Sequence, residues 1–259
     1  MKNSDKYIGV FDSGVGGLTL VKALLYEMPN ENIVYFGDTK HMPYGDKTNE
    51  QIISYVLDDI KFLNNYDLKA MVIACNTADS VASNIIKQNV DIPVYGVLDA
   101  AAKSAASKTK NNKVGVIATT AAVKTDQYKK HIQKYNPNCE VYSKACPLLV
   151  PLIEDGKFDI GNQEIRYVIK DYLASLIEQN IDTLVLGCTH YDLIAPIIQD
   201  MYPNIEIVSS SKCVVKQIVD NIERNNNSTS KRLYYCSSDS QRFKQVSSMF
   251  IPNIEVIEK

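Results

Sequence analysis

The amino-acid sequence predicts an α/β protein of two similar lobes, with mainly parallel sheets flanked by helices. Two observations lead to this prediction. Short runs rich in Val and Ile alternate with longer amphipathic stretches along the whole chain, and strands that are apolar throughout are typical of parallel sheets covered on both faces. In addition, two segments of the first half of the chain recur in the second half.

The strand-like and helix-like segments follow one another in regular alternation. Strands are predicted at residues 7–11, 33–36, 71–74, 94–96, 114–118, 140–142, 183–187, 206–208, 232–235 and 255–257. Helices are predicted where apolar residues recur at helical spacing, at 18–27, 50–63, 78–87, 163–178 and 214–224. Thr48 and Gln51 have the spacing of a capping box at the start of the second helix.

The internal repeat pairs a glycine-containing strand and a cysteine-containing strand end in each half. Residues 7–11 resemble 113–117, residues 72–75 resemble 185–188, and Asp79 aligns with Asp192 when the two cysteines are aligned. A chance match is the alternative, because turns after such strands favour small residues in any α/β protein. Two matches in the same order favour duplication. They predict two lobes related by a pseudo-twofold axis, which face each other across a cleft.

The repeat also divides the chain. Residues 1–98 together with 209–259 are expected to form lobe one, and residues 99–208 to form lobe two, so that the tail returns to lobe one. The polar run at 225–230 predicts a surface loop rather than a linker between domains.

The composition excludes several classes of protein. The 259 residues carry a formal net charge of −2, and the pI is about 6.0, so no global basic field is available to bind nucleic acid or an anionic membrane. No apolar run approaches the ~20 residues of a membrane span, and no signal-peptide pattern precedes the first strand. We therefore expect a cytoplasmic protein.

Six cysteines and three histidines raise the question of disulfides or a metal site. A cytoplasmic protein with a large core does not need a disulfide framework. The sequence contains no Cys-x-x-Cys pair, and the histidines are scattered at positions 41, 131 and 190, so we expect no metal site. Free thiols remain, and some of them are candidates for chemistry.

Cys75 and Cys188 are the candidate catalytic residues. Each follows a buried strand and precedes a helix-like segment, at the sheet edge where ligands of parallel α/β proteins bind. A helix N-terminus is expected to lower the pKa of a thiol there. Facing lobes would place the two thiols on opposite walls of one cleft. A thiolate can then remove a proton from one face of a carbon atom while a thiol returns one to the other face, which inverts a stereocentre.

Cysteine is also a common core residue. Both candidates, however, are followed by hydrogen-bonding side chains, namely Asn76 and Thr77 in the first copy and Thr189 and His190 in the second. Core cysteines seldom stand in such runs. For the other four cysteines the core interpretation is kept: Cys139, Cys146, Cys213 and Cys236.

Three glycines follow the first strand in the segment 12–17, Asp-Ser-Gly-Val-Gly-Gly. They let the backbone approach a ligand, and successive amides can bind an anion. The segment matches neither Gly-x-Gly-x-x-Gly nor a P-loop, so a carboxylate fits it as well as a phosphate. Asp12 could orient a substrate ammonium group or control the proton of Cys75. An Asx-turn is an equally good interpretation of this aspartate.

Two further segments supply candidate site residues. Pro43-Tyr44-Gly45 predicts a tight turn that presents backbone groups and a tyrosine to the cleft, with a plain surface turn as the alternative. Glu154 ends an apolar segment and could pair with His190, although a solvated glutamate is the simpler interpretation. Because no arginine lies in these loops, Lys40 is the one nearby cation that the sequence suggests.

Taken together, these segments resemble the glutamate racemases of the aspartate/glutamate racemase family. The matching blocks are Phe-Asp-Ser-Gly-Val-Gly-Gly-Leu-Thr at 11–19, Tyr-Phe-Gly-Asp-Thr at 35–39, Pro-Tyr-Gly at 43–45, Ala-Cys-Asn-Thr-Ala at 74–78, Val-Pro-Leu-Ile-Glu at 150–154 and Gly-Cys-Thr-His-Tyr at 187–191. Any one block is modest, but their order and number make the resemblance specific.

The resemblance implies an interconversion of L- and D-glutamate that needs neither pyridoxal phosphate nor a metal and that supplies D-glutamate for peptidoglycan. By matching position, Cys75 and Cys188 are the two bases, Asp12 and His190 assist them, and Glu154 lies behind His190. The implied substrate-binding residues are Asp12, Ser13, Pro43, Tyr44, Gly45, Asn76, Thr77, Thr189 and His190. A homodimer is usual in the family. The N-terminal extension that some members use for activation by a precursor is expected to be absent.

The sequence departs from the family pattern at three places. Ala121-Ala122 stands where Gly-Thr is common, which removes a hydroxyl; Asp99-Ala100 replaces a frequent Pro-Gly at the crossing between lobes; and Asp192 replaces the usual Pro after Tyr191. These departures bear on substrate contacts and lobe motion rather than on the two-cysteine chemistry.

Three other functions stay open. A racemase of aspartate or a related amino acid keeps the chemistry and changes the substrate. An amidase would use Cys188 as nucleophile and His190 as base, which leaves Cys75 unexplained. A binding protein would keep the cleft and lack turnover, and only Ala121-Ala122 favours it.

Overall fold

Parallel strands and helices alternate along the chain, which confirms the predicted fold class. The computed structural model describes residues 5–225 and 229–259. The strands are β1 (Tyr7–Asp12), β2 (Asn32–Gly37), β3 (Leu68–Ile73), β4 (Val94–Gly96), β5 (Lys113–Ala118), β6 (Glu140–Ala145), β7 (Thr183–Gly187), β8 (Glu206–Ser209), β9 (Arg232–Cys236) and β10 (Val256–Glu258).

The helices fill the connections between these strands. They are α1 (Leu18–Glu27), α2 (Asn49–Leu63), α3 (Asn76–Gln88), α4 (Val97–Lys108), α5 (Thr120–Lys124), α6 (Gln127–Tyr135), α7 (Leu149–Glu154), α8 (Gln163–Glu178), α9 (Ala195–Met201), α10 (Ser210–Asn221) and α11 (Ser240–Ser247). Two 3₁₀ helices, Tyr44–Asp46 and Thr189–Leu193, follow β2 and β7. The predicted capping box is present, because Thr48 and Gln51 exchange hydrogen bonds at the start of α2.

The strands form two sheets whose orders match. The first sheet has the order β10-β9-β2-β1-β3-β4 and the second the order β6-β5-β7-β8, and all of these pairings are parallel. In each sheet the first strand of the repeat, β1 or β5, lies between the next two strands. The structure therefore has two similar lobes, as the duplication predicted. β9 and β10 extend the first sheet, so the tail returns to it; the exact residues that divide the lobes stay a prediction.

Helices cover both faces of each sheet. In lobe one, β1 and β2 pack on one face against α1, α10 and α11 and on the other face against α2 and α3. In lobe two, β5 and β7 pack against α7, α8 and α9 on one face and against α4 and α6 on the other. The strands are buried on both faces for this reason, which explains why their sequences are apolar throughout.

The strand registers bring the functional segments to one edge of each sheet. Phe11 pairs with Phe36 and with Ile73, so the residues that follow β1, β2 and β3 meet at the carboxyl edge of the first sheet. Ala118 likewise pairs with Gly187, so the chain after β5 lies beside Cys188. Parallel strands place these ends together because they all run in the same direction.

The repeat extends to a pair of aspartates. Asp79 in α3 accepts a hydrogen bond from the backbone N of Leu98 at 2.7 Å, where α4 begins. Asp192 holds the equivalent place in lobe two and lies against the hydroxyl groups of Ser209 and Ser211, where α10 begins. Burial raises the pKa of both carboxyls. Each of the two aligned aspartates therefore lies near the residues that begin a later helix, α4 for Asp79 and α10 for Asp192.

Some predicted elements were wrong in their bounds. The helix predicted at 214–224 is α10 (Ser210–Asn221): it begins earlier because the Ser209 side chain caps it by accepting from the backbone N of Lys212 at 3.1 Å, and it ends earlier because Ile222 is extended. The surface loop predicted at 225–230 is wrong at Asn225, which is buried. Residues 226–228 of that prediction lie outside the described residues.

A buried ion pair fixes the tail to the first sheet. The side chains of Lys69 in β3 and Glu31 before β2 are each 1% exposed, and the Lys69 Nζ lies 2.6 Å from the Glu31 Oε2. The Lys69 Nζ also donates to the carbonyl of Glu223 at 2.9 Å, and the Glu31 Oε1 accepts from the backbone N of Asn225 at 2.8 Å. Charged groups removed from water thus hold the chain that leaves α10.

Replacing Lys69 by methionine is expected to lower the free energy of unfolding by about 3–5 kcal/mol, because the carboxylate of Glu31 would stay buried without its partner. Lys108→Met is the matched control, since Lys108 pairs with Glu206 at the surface, where the side chains are 45% and 50% exposed. Lys108→Met is expected to lower the free energy of unfolding by less than about 1 kcal/mol. Urea unfolding measures both values, and equal losses would contradict the prediction.

Candidate active site

A small cavity lies where the carboxyl edges of the two sheets face each other. Its walls contain both candidate cysteines, one from each lobe. All the other predicted site residues except Asp12 line it as well: Ser13, Pro43, Tyr44, Gly45, Asn76, Thr77, Glu154, Thr189 and His190. Residues that are distant in the sequence thus share one site.

The cavity is closed to a ligand of amino-acid size. It encloses about 50 Å³, about a third of the ~150 Å³ that admits benzene in other proteins. Hydrogen bonds join the lobes around it: the Thr19 hydroxyl donates to the carbonyl of Thr189 at 3.1 Å, and the hydroxyls of Thr77 and Thr119 lie 2.8 Å apart. A ligand of that size therefore needs more room than the cavity offers in this arrangement of the lobes.

Gly16 permits this close approach of the lobes. A Cβ atom at this position would lie 2.3 Å from the Thr189 Oγ1 and 2.5 Å from the ring of His190, which is far inside van der Waals contact. The glycine-rich loop after β1 therefore serves packing against lobe two, in addition to any contact with a ligand.

Cys75 lies at the N-terminus of α3, as predicted. Its Sγ accepts a hydrogen bond from the backbone N of Ala78 at 3.4 Å, and it lies 3.4 Å from the Ser13 hydroxyl. The expected lowering of its pKa is wrong, however. Burial and the nearby charge of Asp12 raise the pKa of Cys75 to about 12, because together they outweigh the helix N-terminus. Cys75 is therefore a thiol at neutral pH.

Cys188 belongs to a chain of interacting side chains. It precedes the 3₁₀ helix, and its Sγ lies 3.9 Å from the Nδ1 of His190. The Nε2 of His190 lies 3.1 Å from the Oε1 of Glu154, so the pairing suggested for Glu154 is present. The Oε2 of Glu154 lies 3.7 Å from the guanidinium of Arg242. Arg242 comes from α11 of lobe one, so this series of side-chain contacts runs from lobe two to lobe one.

The protonation of His190 follows from these contacts. Burial acts to lower its pKa, but the hydrogen bonds and charges of Cys188 and Glu154 prevail and raise it to about 10. Burial acts to raise the pKa of Glu154, whereas His190 and Arg242 lower it. His190 is thus an imidazolium at neutral pH. The two sulfurs consequently have opposite neighbours: Cys75 faces a carboxyl group and Cys188 faces a cation.

Asp12 lies behind the cavity wall, next to Cys75. It is 1% exposed, and its Oδ2 accepts from the backbone N of Gly14 at 3.1 Å, which is the Asx-turn given above as an alternative. Its Oδ1 has no hydrogen-bond partner within residues 5–225 and 229–259. Burial raises the pKa of Asp12, while the positive charge of His190 opposes the rise. Asp12 therefore forms the turn and also influences the proton of Cys75.

Asn76 connects three parts of the chain. Its Nδ2 donates to the Ser210 hydroxyl at 3.2 Å, and its Oδ1 accepts from the hydroxyl of Tyr128. Tyr128 belongs to α6 of lobe two, and Ser210 begins α10. The amide of Asn76 is therefore held in one orientation beside the cavity by partners that no local sequence pattern predicts.

Two polar side chains of the site were not predicted from the sequence. Thr119 lines the cavity, and it corresponds in the repeat to Ser13, since each is the first residue after β5 or β1. That correspondence was an available signal. Arg242 contacts Glu154 but lies in the returning tail, where no sequence motif marks it. The remaining unpredicted residues of the wall are Gly14, Met42, Val150 and Gly187.

Tyr44 lines the cavity as predicted, and its hydroxyl donates to the buried Asp38 Oδ2 at 2.6 Å. The expectation about Lys40 was wrong. Lys40 is exposed and is not among the residues that line the cavity. Arg242, which contacts Glu154, is a cation near the site that the sequence did not suggest.

Comparison with known proteins shows the family of the chain. The model of the Asp/Glu/Hydantoin racemase family matches residues 28–218. The chain belongs to this racemase family. It is 41% identical over 249 residues to a glutamate racemase from Sulfurihydrogenibium sp., an alignment that covers 96% of this chain and 95% of that protein.

Solved structures of this racemase family match the whole fold. Glutamate racemase isoform RacE1 from Bacillus anthracis has a TM-score of 0.92 and 31% identity. Glutamate racemase from Francisella tularensis, solved in complex with D-glutamate, has a TM-score of 0.90 and 36% identity. Each comparison covers 98% of this chain and 97% of the other.

The departures from the racemase family pattern have clear places in the structure. Ala121 and Ala122 lie in α5 and do not line the cavity, whereas Thr119, which caps α5, does. Asp99 pairs with the Nδ1 of His131 at 2.8 Å, between α4 and α6. Thr119 therefore contributes to the wall, although Ala121 and Ala122 do not.

Neither a membrane-spanning helix nor a metal site is found among the described residues. None of their helices is long and apolar enough to cross a bilayer. Within the same ranges, no group of three or more His, Cys, Asp or Glu side chains could hold a metal ion.

Iodoacetamide is expected to modify Cys188 at least about tenfold faster than Cys75 at pH 7.5, because the thiolate is the reactive form and Cys75 is held as a thiol. Mass spectrometry of the peptides, at short times, gives the two rates. His190→Gln serves as the control, since it removes the cation beside Cys188 and should reduce the difference. Equal rates in the unsubstituted protein would contradict the assignment.

The imidazolium of His190 is expected to persist until about pH 10. Its contribution to stability is then complete below the ordinary histidine pKa of about 6.5 and is lost as the pH rises through about 10. Glu154→Gln should shift the midpoint to lower pH, because a negative neighbour is removed. ¹⁵N NMR of the imidazole measures both midpoints.

Glu164→Gln is the matched control for that titration, since it removes the same charge from an exposed pair with Lys157. An unchanged midpoint in Glu154→Gln, or an equal shift in both variants, would show that Glu154 does not stabilise the imidazolium.

Proposed function

We propose that the protein is a glutamate racemase that interconverts L- and D-glutamate without a cofactor, by proton transfer through Cys75 and Cys188. One observation carries the proposal: two cysteines from opposite lobes line one closed cavity and have opposite electrostatic neighbours. The relatives named above as glutamate racemases, and the D-glutamate bound in the Francisella tularensis structure, support glutamate as the substrate.

The proposed reaction exchanges one proton for another at the α-carbon. One sulfur, as the thiolate, takes the α-proton: an S–H bond forms, the Cα–H bond breaks, and its electron pair moves onto the α-carbon and the adjoining carboxylate. The other sulfur, as the thiol, donates its proton to the opposite face of the α-carbon and becomes the thiolate. Atoms and charge balance, and the next turnover in the reverse direction exchanges the two roles.

The protonation of the unliganded protein supports unequal starting roles. Cys75 is a thiol, whereas Cys188 adjoins the imidazolium of His190. We therefore infer that Cys188 begins as the base and Cys75 as the acid for one enantiomer of glutamate. For the other enantiomer a proton must first move, and Asp12 beside Cys75 and His190 beside Cys188 are the groups placed to accommodate it.

The walls of the cavity suit an amino-acid dicarboxylate. Behind the wall, the carboxyl group of Asp12, which is 1% exposed, is proposed to interact with the ammonium group of glutamate. The hydroxyls of Ser13, Thr77 and Thr189 and the backbone near Gly45 are proposed to bind its carboxylates. Exclusion of water from a closed cavity strengthens these interactions as charge develops on the carboxylate.

The resemblance to the family extends the proposal beyond the reaction. D-Glutamate formed by the protein would be used for peptidoglycan, and the protein would act in the cytoplasm as a homodimer. Multi-angle light scattering of the purified protein tests the dimer separately from the reaction.

Purified protein, with chelator and without pyridoxal phosphate, is expected to incorporate deuterium at the α-carbon of D-glutamate in D₂O while the optical rotation decays to zero. Cys75→Ala and Cys188→Ala should each abolish racemisation, since each removes one of the two groups that the transfer needs, with losses well beyond the ~10²–10⁴ of a single general base. Cys213→Ala, which changes a half-buried thiol outside the cavity, is the control and should keep the activity.

The same assay separates the alternative functions. Reaction with D-aspartate and not with D-glutamate would show that the substrate is different and the chemistry the same. A covalent acyl-enzyme at Cys188, detected by mass spectrometry, would indicate an amidase. Binding of glutamate without deuterium uptake would indicate a binding protein, and full activity without either cysteine would contradict the two-base reaction.

A further inference from the structure

A buried hydrogen-bonded cluster lies behind the cavity wall that contains Pro43 and Gly45. It consists of Asp38, Tyr44 and Asp59, and we call it the Tyr44 cluster. The two carboxyl groups are almost fully buried, with 1% of Asp38 and 3% of Asp59 exposed. The hydroxyl oxygen of Tyr44 lies 2.6 Å from the Asp38 Oδ2 and 3.2 Å from the Asp59 Oδ2. Asp59 comes from α2 and belongs to none of the motifs discussed above.

The number of protons in the Tyr44 cluster determines its hydrogen bonds. A hydroxyl group can donate one hydrogen bond and accept others. The shorter contact shows that Tyr44 donates to Asp38, which is also contacted by the Nδ1 of His41 at 2.8 Å and by the Ser237 hydroxyl at 2.8 Å. The hydroxyl oxygen of Tyr44 can then bond to Asp59 only if Asp59 carries a proton of its own.

The surroundings of Asp59 favour the neutral acid. Burial, followed by the negative charge of Asp38, raises its pKa well above the ordinary value, although the contact with Tyr44 opposes the rise. A buried carboxyl group near a second carboxylate stays protonated because two like charges in an apolar site cannot both be ionised at low cost. Geometry and electrostatics therefore agree.

Helix α2 holds the loop after β2 at two points. Tyr55 and Asp59 are four residues apart and so lie on the same face of the helix. The ring of Tyr55 stacks on His41, with centroids 3.8 Å apart and planes 6° apart, while Asp59 contacts Tyr44. The loop between these points contains Met42 and Pro43, which line the cavity.

The same wall contacts lobe two. A Cβ atom at Gly45 would lie 3.2 Å from the Cβ of Thr119, so the backbone of Gly45 packs directly against Thr119. The hydroxyl of Thr119 is in turn 2.8 Å from that of Thr77. A displacement of Tyr44 would therefore move the wall of the cavity and the contact between the lobes together.

We propose that Asp59 is a positioning residue for the racemisation: as a neutral carboxylic acid it donates to the Tyr44 hydroxyl and thereby holds the wall at Pro43–Gly45 in the geometry that binds glutamate. This inference rests on the proposed function. It assigns to α2 a part in substrate binding, although α2 itself contributes no residue to the cavity wall.

The kinetic test compares two substitutions of Asp59. Asp59→Leu keeps the approximate size and cannot hydrogen-bond, so the KM for D-glutamate is expected to rise about tenfold, which corresponds to one lost hydrogen bond, while kcat falls less than threefold. In Asp59→Asn the amide donates to Tyr44 as the acid did, and both constants are expected to stay within about threefold of the original values. Asp58→Leu, an exposed neighbour on α2, is the control.

Two kinetic results would overturn the proposal. A KM that is unchanged in Asp59→Leu would show that the wall does not need Asp59. An equal loss in Asp59→Leu and Asp59→Asn would show that the neutral hydrogen-bond donor is not the relevant property. If the unsubstituted protein does not racemise glutamate at all, the proposed function fails, and the stability test below still decides the state of Asp59.

The stability test compares Asp59→Asn with the unsubstituted protein as the pH changes. A neutral Asp59 releases its proton on unfolding above the ordinary aspartate pKa of about 3.9, so the free energy of unfolding of the unsubstituted protein falls as the pH rises, and that of Asp59→Asn lacks this decrease. The other ionisable groups that act on Asp59 are present in both proteins, so their effects cancel in the comparison: Asp38 and Tyr44 of the loop, Asp58 of α2 and Asp12 of β1.

Urea unfolding between pH 5 and pH 8 is the measurement. As the pH rises over this range, the free energy of unfolding of Asp59→Asn is expected to increase relative to that of the unsubstituted protein. A constant difference would mean that Asp59 is ionised in the folded protein, and the proposal would be wrong.

Discussion

The chemistry of this molecule depends on burial. The side chains at the carboxyl ends of β1, β3, β5 and β7 are removed from water when the chain folds. The two sheets bring the ends of these strands together, and the lobes close over them. A carboxyl, two thiols and an imidazole then share a space that excludes solvent, where each charge acts strongly on its neighbours. Burial, together with the charge of Asp12, raises the pKa of Cys75 to about 12. Cys188 and Glu154 raise the pKa of His190 to about 10 against the effect of burial.

Duplication supplies the geometry, and divergence of the two copies supplies the chemical difference. The order of the strands around β1 and β5 is the same, so each lobe presents one cysteine at the equivalent edge. The neighbours are different: Cys75 has Asp12, whereas Cys188 has His190 and Glu154. A two-base inversion needs one acid and one base, so this asymmetry within a symmetrical frame suits the proposed reaction.

Buried polar groups outside the cavity stabilise the arrangement of the two lobes, because they too need partners once they are removed from water. Lys69 and Glu31 fix the tail to the first sheet, and the Tyr44 cluster fixes the loop that forms one wall of the cavity. In both cases a group taken out of water must find a partner of suitable charge or protonation. The partners come from distant parts of the chain, so satisfying them also determines how those parts are arranged.

The sequence by itself determined the fold class, the repeat and the residues that meet at the cavity, because apolar strand runs and strand-end motifs are local patterns. It did not determine the protonation of Cys75, which depends on burial, or the hydrogen bond of Tyr44 to Asp38, which depends on α2 and the loop together. Thr119 was recoverable from the repeat, whereas Arg242 and Asp59 were not, because no local pattern marks either. Tertiary structure decided these points, since pKa values and partners depend on groups that meet only after the chain has folded.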